Sequence, residues 1–148
     1  MKKINLSEIE YVSFSLAREH LSFKEPIPDF STRFPNILES CLLIPFQKFQ
    51  DKDAYKGLLG KTAILFYLMI KNHPFLNGNK RIAVTTLFVF LYKNKKWLKV
   101  DNQELYNFAI WVAQSPAKLK EEVVKGIEKF LRSSMVASSK NFKPSDRN

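Results

Sequence analysis

Apolar residues crowd two stretches of this chain so densely that neither retains a polar face. Leu58 to Asn72 and the run after Gly78 through Leu91 each predict a helix buried on nearly all sides, and such helices belong at the centre of a bundle. The first must stop at Asn72-His73-Pro74, because a proline disfavours helical geometry in the residue before it. The second opens after the turn dipeptide Asn77-Gly78 and stops before Asn94. One tight loop therefore joins two central helices, with His73 just past the end of the first.

Amphipathic elements flank this pair. Ser7 with Glu10 three residues later predicts a capping box, opening a helix to about His20. Leu21 to Arg33, with Pro26 and Pro28, reads as a loop. Pro35 suits a first helical position, and Ile37, Leu38, Cys41 and Leu42 form an apolar stripe on a short helix that Pro45 ends. Pro45 to Tyr55 is irregular and polar. Asp101 and Glu104 predict a second capping box, for a helix through about Ala113 with Leu105, Phe108, Ala109 and Val112 on one face, and Ser115-Pro116 opens the last helix. No segment sustains the period-two alternation of strands. The expectation is an all-α fold, a compact helical bundle of about six helices in one domain over residues 1–134. Beyond Ser134 the residues are mostly Ser, Lys, Asn and Asp, which predicts a flexible tail over 135–148.

Composition fits that picture: 148 residues, 45 % of them hydrophobic, with 13 Phe and only 4 Gly, are enough for an aromatic core without staples. Cys41 is the only cysteine, so no intrachain disulfide forms, and a cytoplasmic location is expected. The amino terminus carries no export signal. The most apolar runs, Ala63 to Ile70 and Ile82 to Tyr92, fall short of the ~20 residues a membrane span needs, so no membrane association is expected. The net charge of +10 suits an acidic partner or a soluble basic surface. Glu121 with Lys125, and Glu128 with Arg132, stand four apart as on a solvated helix face, which weakens the case for nucleic acid.

The central loop carries the candidate chemistry. A histidine at the end of a buried helix is a possible general base, since its pKa near ~6.5 lets it accept a proton around neutrality. Asn77-Gly78-Asn79-Lys80-Arg81 puts backbone amides and two cations at a helix amino terminus. Cations there oppose the helix dipole and call for an anion, which Arg81 can grip in a fork while Lys80 supplies a point charge. A surface turn with both cations in solvent is the competing reading.

His73-Pro74-Phe75-Leu76-Asn77-Gly78-Asn79-Lys80-Arg81 resembles the signature of the Fic/Doc superfamily, His-x-Phe-x-Asp/Glu-Gly-Asn. That signature continues as Gly-Arg-x-x-Arg in Fic adenylyltransferases and as Lys-Arg in the Doc (death-on-curing) branch. Here Lys80 replaces the glycine and Val84 the second arginine, which is the Doc form. The resemblance covers about residues 35 to 115. It implies that His73 takes the proton of a target hydroxyl, that Phe75 anchors the loop, and that Gly78, Asn79, Lys80 and Arg81 cradle phosphate. It also implies a target-aligning flap within Pro45 to Tyr55. Asn77 stands where most members carry an acidic Mg²⁺ ligand, and its neutral amide oxygen is a weaker donor for a hard cation.

For Doc-like members the resemblance implies a toxin of a toxin-antitoxin pair. Such a toxin moves the γ-phosphoryl group of ATP, or of another nucleoside triphosphate with Mg²⁺, to a threonine of translation elongation factor Tu, and an antitoxin protein restrains it. The alternatives are a protein adenylyltransferase using the same His73, and a non-catalytic basic binding module that keeps a degenerate Fic loop.

Overall fold

The computed structural model describes residues 1–20 and 25–138. Its framework is six helices: α1 (Leu6–Glu8, continued as a π-turn Ile9–Ser13 and then Phe14–His20), α2 (Pro35–Leu43), α3 (Gly57–Lys71), α4 (Asn79–Lys93), α5 (Asn102–Gln114) and α6 (Lys120–Ser134). The all-helical bundle expected from the apolar pattern is the fold observed.

Helices α3 and α4 are the core. Every residue from Gly60 to Ile70 is buried on α3, and every residue from Arg81 to Leu91 on α4, which is why neither stretch shows a polar stripe. The pair is wrapped by α1 on α4, by α6 on α3, and by α2 and α5 at the sides. Aromatic rings fill the seams: Phe108 of α5 stacks on Phe130 of α6 at 4.1 Å and on Phe66 of α3 at 6.4 Å, and Phe46 meets Phe90 of α4 edge-on at 6.0 Å.

Helix α1 starts differently from the expectation. Asn5, not Ser7, is its N-cap: the Asn5 Oδ1 accepts from the Glu8 N–H at 2.9 Å, and Glu8 Oε1 accepts from the Asn5 N–H at 3.0 Å. Asn caps as well as Ser, and this register puts Ile4 and Ile9, both buried, at the two positions of a hydrophobic staple. A helix opening at Ser7 would forfeit that burial. On α5 the Asp101 carboxylate accepts from the Gln103 and Glu104 N–H groups, which is the Asp101 half of the box expected there.

Two small sheets were not anticipated. Within the segment read as irregular, β1 (Lys48–Phe49) and β2 (Lys52–Asp53) form a hairpin turned by Gln50 and Asp51, at φ of 52° and 62°. Two-residue strands are too short to show alternation. The hairpin is pinned to the start of α3, where Lys61 Nζ reaches the Asp53 carboxylate at 3.1 Å and the Tyr55 carbonyl at 2.5 Å. The second sheet pairs β3 (Lys96–Leu98) with β4 (Met135–Ala137), antiparallel, with Trp97 opposite Val136. Residues 135–138, expected to belong to a flexible tail beyond Ser134, are therefore paired, and the Ser138 N–H donates to the Lys95 carbonyl at 3.2 Å. Residues 139–148 of that tail, and 21–24 of the loop expected from Leu21, lie outside the described residues.

The amino-terminal segment closes on the same corner. Lys2 N–H donates to Asn94 Oδ1 at 2.8 Å, and Asn94 Nδ2 returns a bond to the Lys2 carbonyl at 3.0 Å. Among the described residues no helix is long and apolar enough to cross a membrane.

Candidate active site

The loop from His73 to Gly78 spans the mouth between the two central helices. Asn72 is the C-cap of α3, its N–H bonded to the Leu68 carbonyl at 3.0 Å, and His73 follows with a left-handed φ of 49°. That conformation, which disfavours any side chain but suits the residue after a helix C-cap, turns the imidazole out of the bundle, where it is exposed. Among the described residues His73 has no hydrogen-bond partner, so the imidazole is open to a substrate. Beside it, Asn36, Ile37, Ser40 and Asn72 line a recess of about 420 Å³.

Phe75 turns the other way. It is 1 % exposed and meets Phe14 of α1 edge-on at 5.0 Å, so the anchoring role implied by the resemblance has a physical basis. Asn79 ties the loop shut around it: Oδ1 accepts the Phe75 N–H at 3.0 Å and Nδ2 donates to the Phe75 carbonyl at 2.9 Å. Both polar ends of the buried Asn79 side chain are thus engaged within the loop, which makes it a clamp rather than the phosphate ligand expected.

Gly78 heads α4 at φ 68°, and a Cβ there would lie 2.7 Å from the Pro26 carbonyl oxygen. Only glycine accepts both the backbone angle and the closeness of the 25–27 segment. The Gly78 N–H is bonded to Asn77 Oδ1 at 2.8 Å. Asn77 is exposed, uncharged, and already committed through its one oxygen, and no group of three His, Cys, Asp or Glu able to hold a metal occurs among the described residues. The donor set does not fit a resident Mg²⁺.

The two cations part company. Lys80 is half-buried and its Nζ lies 2.8 Å from Glu25 Oε1. Arg81 is buried at 8 % exposure, and its guanidinium donates to the Ala17 carbonyl of α1 and the Glu25 carbonyl. Burial pulls the Arg81 pKa below its ordinary value while Glu25 opposes the shift, and an arginine so placed keeps its proton. Arg81 thus fastens α1 and the 25–27 segment to α4. Tyr106 of α5 completes the cluster, its hydroxyl 3.4 Å from Glu25 Oε1. Burial raises the Tyr106 pKa, and the Glu25 carboxylate adds to the rise.

Glu25 and Tyr106 escape sequence reading, because neither belongs to a local pattern and the fold alone brings them to Lys80. The hairpin fits the implied flap poorly. Its base is held at Lys61 in the second turn of α3, whereas His73 lies twelve residues on, past the last turn, a rise of about 18 Å.

No curated protein and no solved structure matches the chain. Residues 4–91, more than half of it and including the whole loop, match the model of the Fic/DOC family, and the chain belongs to that family.

Proposed function

We propose that this chain is a Doc-like transferase that moves the γ-phosphoryl group of a nucleoside triphosphate, ATP first, to a hydroxyl side chain of a target protein. The proposed target is elongation factor Tu, with growth arrest as the outcome and an antitoxin protein as the partner that restrains it in the cytoplasm. The reading rests on membership of a family of Fic-type transferases. Within it, one observation carries the choice of phosphoryl over nucleotidyl transfer. Val84, at the place of the second arginine of the AMP-transferring branch, is 1 % exposed in the core, so that face of α4 offers no second cation to a nucleotide.

The chain's groups would then act in sequence. The exposed His73 imidazole takes the proton of the target hydroxyl as the new O–P bond forms, the bond from the γ-phosphorus to the bridging oxygen breaks, and the nucleoside diphosphate leaves with the electron pair. Lys80 and the amides at the start of α4 offset the phosphate charge, so catalysis is positioning and electrostatics. Any divalent cation would arrive on the nucleotide.

The test is expression of wild type and His73→Ala in a bacterial host, with growth and the intact mass of elongation factor Tu as readouts. A gain of one phosphate, lost in His73→Ala and labelled from γ-³²P-ATP only, supports the reading. Label from α-³²P-ATP, with a nucleotide-sized gain, replaces it by adenylyl transfer.

A second reading has its own observation: the chain's own groups already engage Lys80 and Arg81, as in a non-catalytic basic binding module. It predicts partner binding that weakens steeply with salt and ignores His73→Ala.

A further inference from the structure

The two ends of the His73 loop differ in chemistry. At Gly78 it leads to Lys80 and the start of α4, where a phosphate is favoured. At Asn72 it borders the recess of about 420 Å³, whose other walls, Asn36, Ile37 and Ser40, share one face of α2 at i, i+1 and i+4. No ionisable side chain lines that recess, so it offers nothing to a polyphosphate. Its polar groups are idle: among the described residues the side chains of Asn36, Ser40 and Asn72 make no hydrogen bond, and all three are exposed. Ile37, read from the sequence as part of an apolar stripe with Leu38 and Cys41, is 38 % exposed while those two are fully buried. The recess is tied to the base beside it, because the Phe34 N–H at the N-cap of α2 donates to the carbonyl of Pro74, the residue after His73, at 2.9 Å.

We propose that this recess seats the acceptor segment of the target protein. A side-chain amide donates and accepts at once, which complements a peptide main chain, so Asn36, Ser40 and Asn72 bond the backbone of an extended segment. Ile37 takes the side chain next to the hydroxyl-bearing residue and selects an apolar one, since a charge docked there would lose its water without gaining a partner. The inference rests on the proposed function for the reaction and deepens it by naming the substrate class: an extended, uncharged segment with an apolar residue beside the acceptor. It moves the aligning of the target from the Lys48–Asp53 hairpin, held a rise of about 18 Å along α3 from His73, to α2, which is bonded to the His73 loop itself. Donor phosphates and acceptor hydroxyl then reach His73 from opposite ends of one loop, and the proton transfer stays with His73.

The experiment is steady-state transfer from γ-³²P-ATP by the full chain as wild type, Ile37→Lys, Ile37→Asn and Leu43→Lys. The acceptor is elongation factor Tu, or whichever host protein takes the label. The acceptor KM, the ATP KM and kcat are read separately, with thermal melts to verify folding. Ile37→Lys is expected to raise the acceptor KM about tenfold or more and to leave the ATP KM unchanged, because a charge now faces the docked apolar side chain. Leu43→Lys adds the same charge to the same helix at an exposed position outside the recess, and should leave both constants at their wild-type values. Glu placed in turn on either side of the acceptor residue should slow wild type at one of the two positions and partly rescue Ile37→Lys there. An unchanged acceptor KM in folded Ile37→Lys, an equal rise in Leu43→Lys, or no rescue at either position overturns the inference. If Ile37→Lys fails to fold, the uncharged Ile37→Asn must raise the acceptor KM several-fold, and no rise overturns the inference equally. A wild type that labels no protein sinks the proposed function and this inference with it. Transfer that is indifferent to Ile37 sinks only the inference.

Discussion

Asn79 holds Phe75 by both of its backbone groups, accepting from the N–H at 3.0 Å and donating to the carbonyl at 2.9 Å. The pair converts five residues of loop into a closed ring whose one inward side chain, Phe75, is locked against Phe14, so His73 is aimed outward by a staple on its far side.

Removing that staple exposes its worth. Asn79→Ala leaves two buried backbone groups unpaired, at about 3 kcal/mol together, so melting is expected about 6–12 °C lower for a chain of this size. Asn79→Asp keeps the acceptor for the Phe75 N–H but sets an oxygen against the Phe75 carbonyl, and should melt almost as low. Differential scanning calorimetry decides; a wild-type melting point for either variant would remove the clamp from the account.

His73 pays for its exposure in backbone strain. A left-handed φ of 49° costs a non-glycine residue of order 1 kcal/mol, so His73→Gly is expected to melt about 2–4 °C higher while transferring nothing. His73→Ala should also be inactive, without the rise. A destabilised glycine variant would mean that the imidazole makes contacts its exposure does not suggest.

Gly78→Ala places a methyl group 2.7 Å from the Pro26 carbonyl at a φ that alanine resists. The expected loss is about 2 kcal/mol, together with weaker ligand binding as the 25–27 segment is forced off α4. Chemical denaturation and pyrophosphate titration of the same variant read both effects.

Burial pushes the Cys41 thiol from 9.0 up to about 12. Below pH ~9 the thiol is protonated in folded and unfolded chains alike, and its contribution to stability is complete. Between the two values the unfolded chain ionises while the folded one keeps its proton, so stability falls as pH rises, by up to about 1.4 kcal/mol per unit. Cys41→Ala should flatten the alkaline limb of a stability-against-pH curve measured in urea, and an unchanged limb would show that the thiol is not buried in solution.

Truncation tests the carboxy-terminal boundary. Ending the chain after Ser134 removes β4 and unpairs β3, for an expected loss of about 2 kcal/mol read by thermal melting.

What the sequence disclosed and what it hid follow from the range of the interactions. The two central helices were legible because their burial is written in every residue from Gly60 to Ile70 and from Arg81 to Leu91, and the loop between them because Pro74 and Gly78 have strong local preferences. The start of α1 was misplaced by two residues because Ser7 and Glu10 mimic a box that Asn5 and Glu8 form, and only the burial of Ile4 and Ile9 separates them. The hairpin at Lys48–Asp53 and the β3–β4 pair were invisible, since strands of two or three residues leave no period to read. At the site, His73, Phe75 and Gly78 were readable from the motif. The Glu25–Lys80–Tyr106 cluster was not, because it joins three parts of the chain that only tertiary packing brings together.

The corner formed by Asn94 and Lys95 receives both Lys2, bonded to the first, and Ser138, bonded to the second. A cross-link between positions 2 and 138 would therefore have a short distance to span, and the exposed Gln50–Asp51 turn offers a surface position for opening the chain. Labels placed at positions 2 and 138 would lie together at the far end of α4 from Gly78, away from His73.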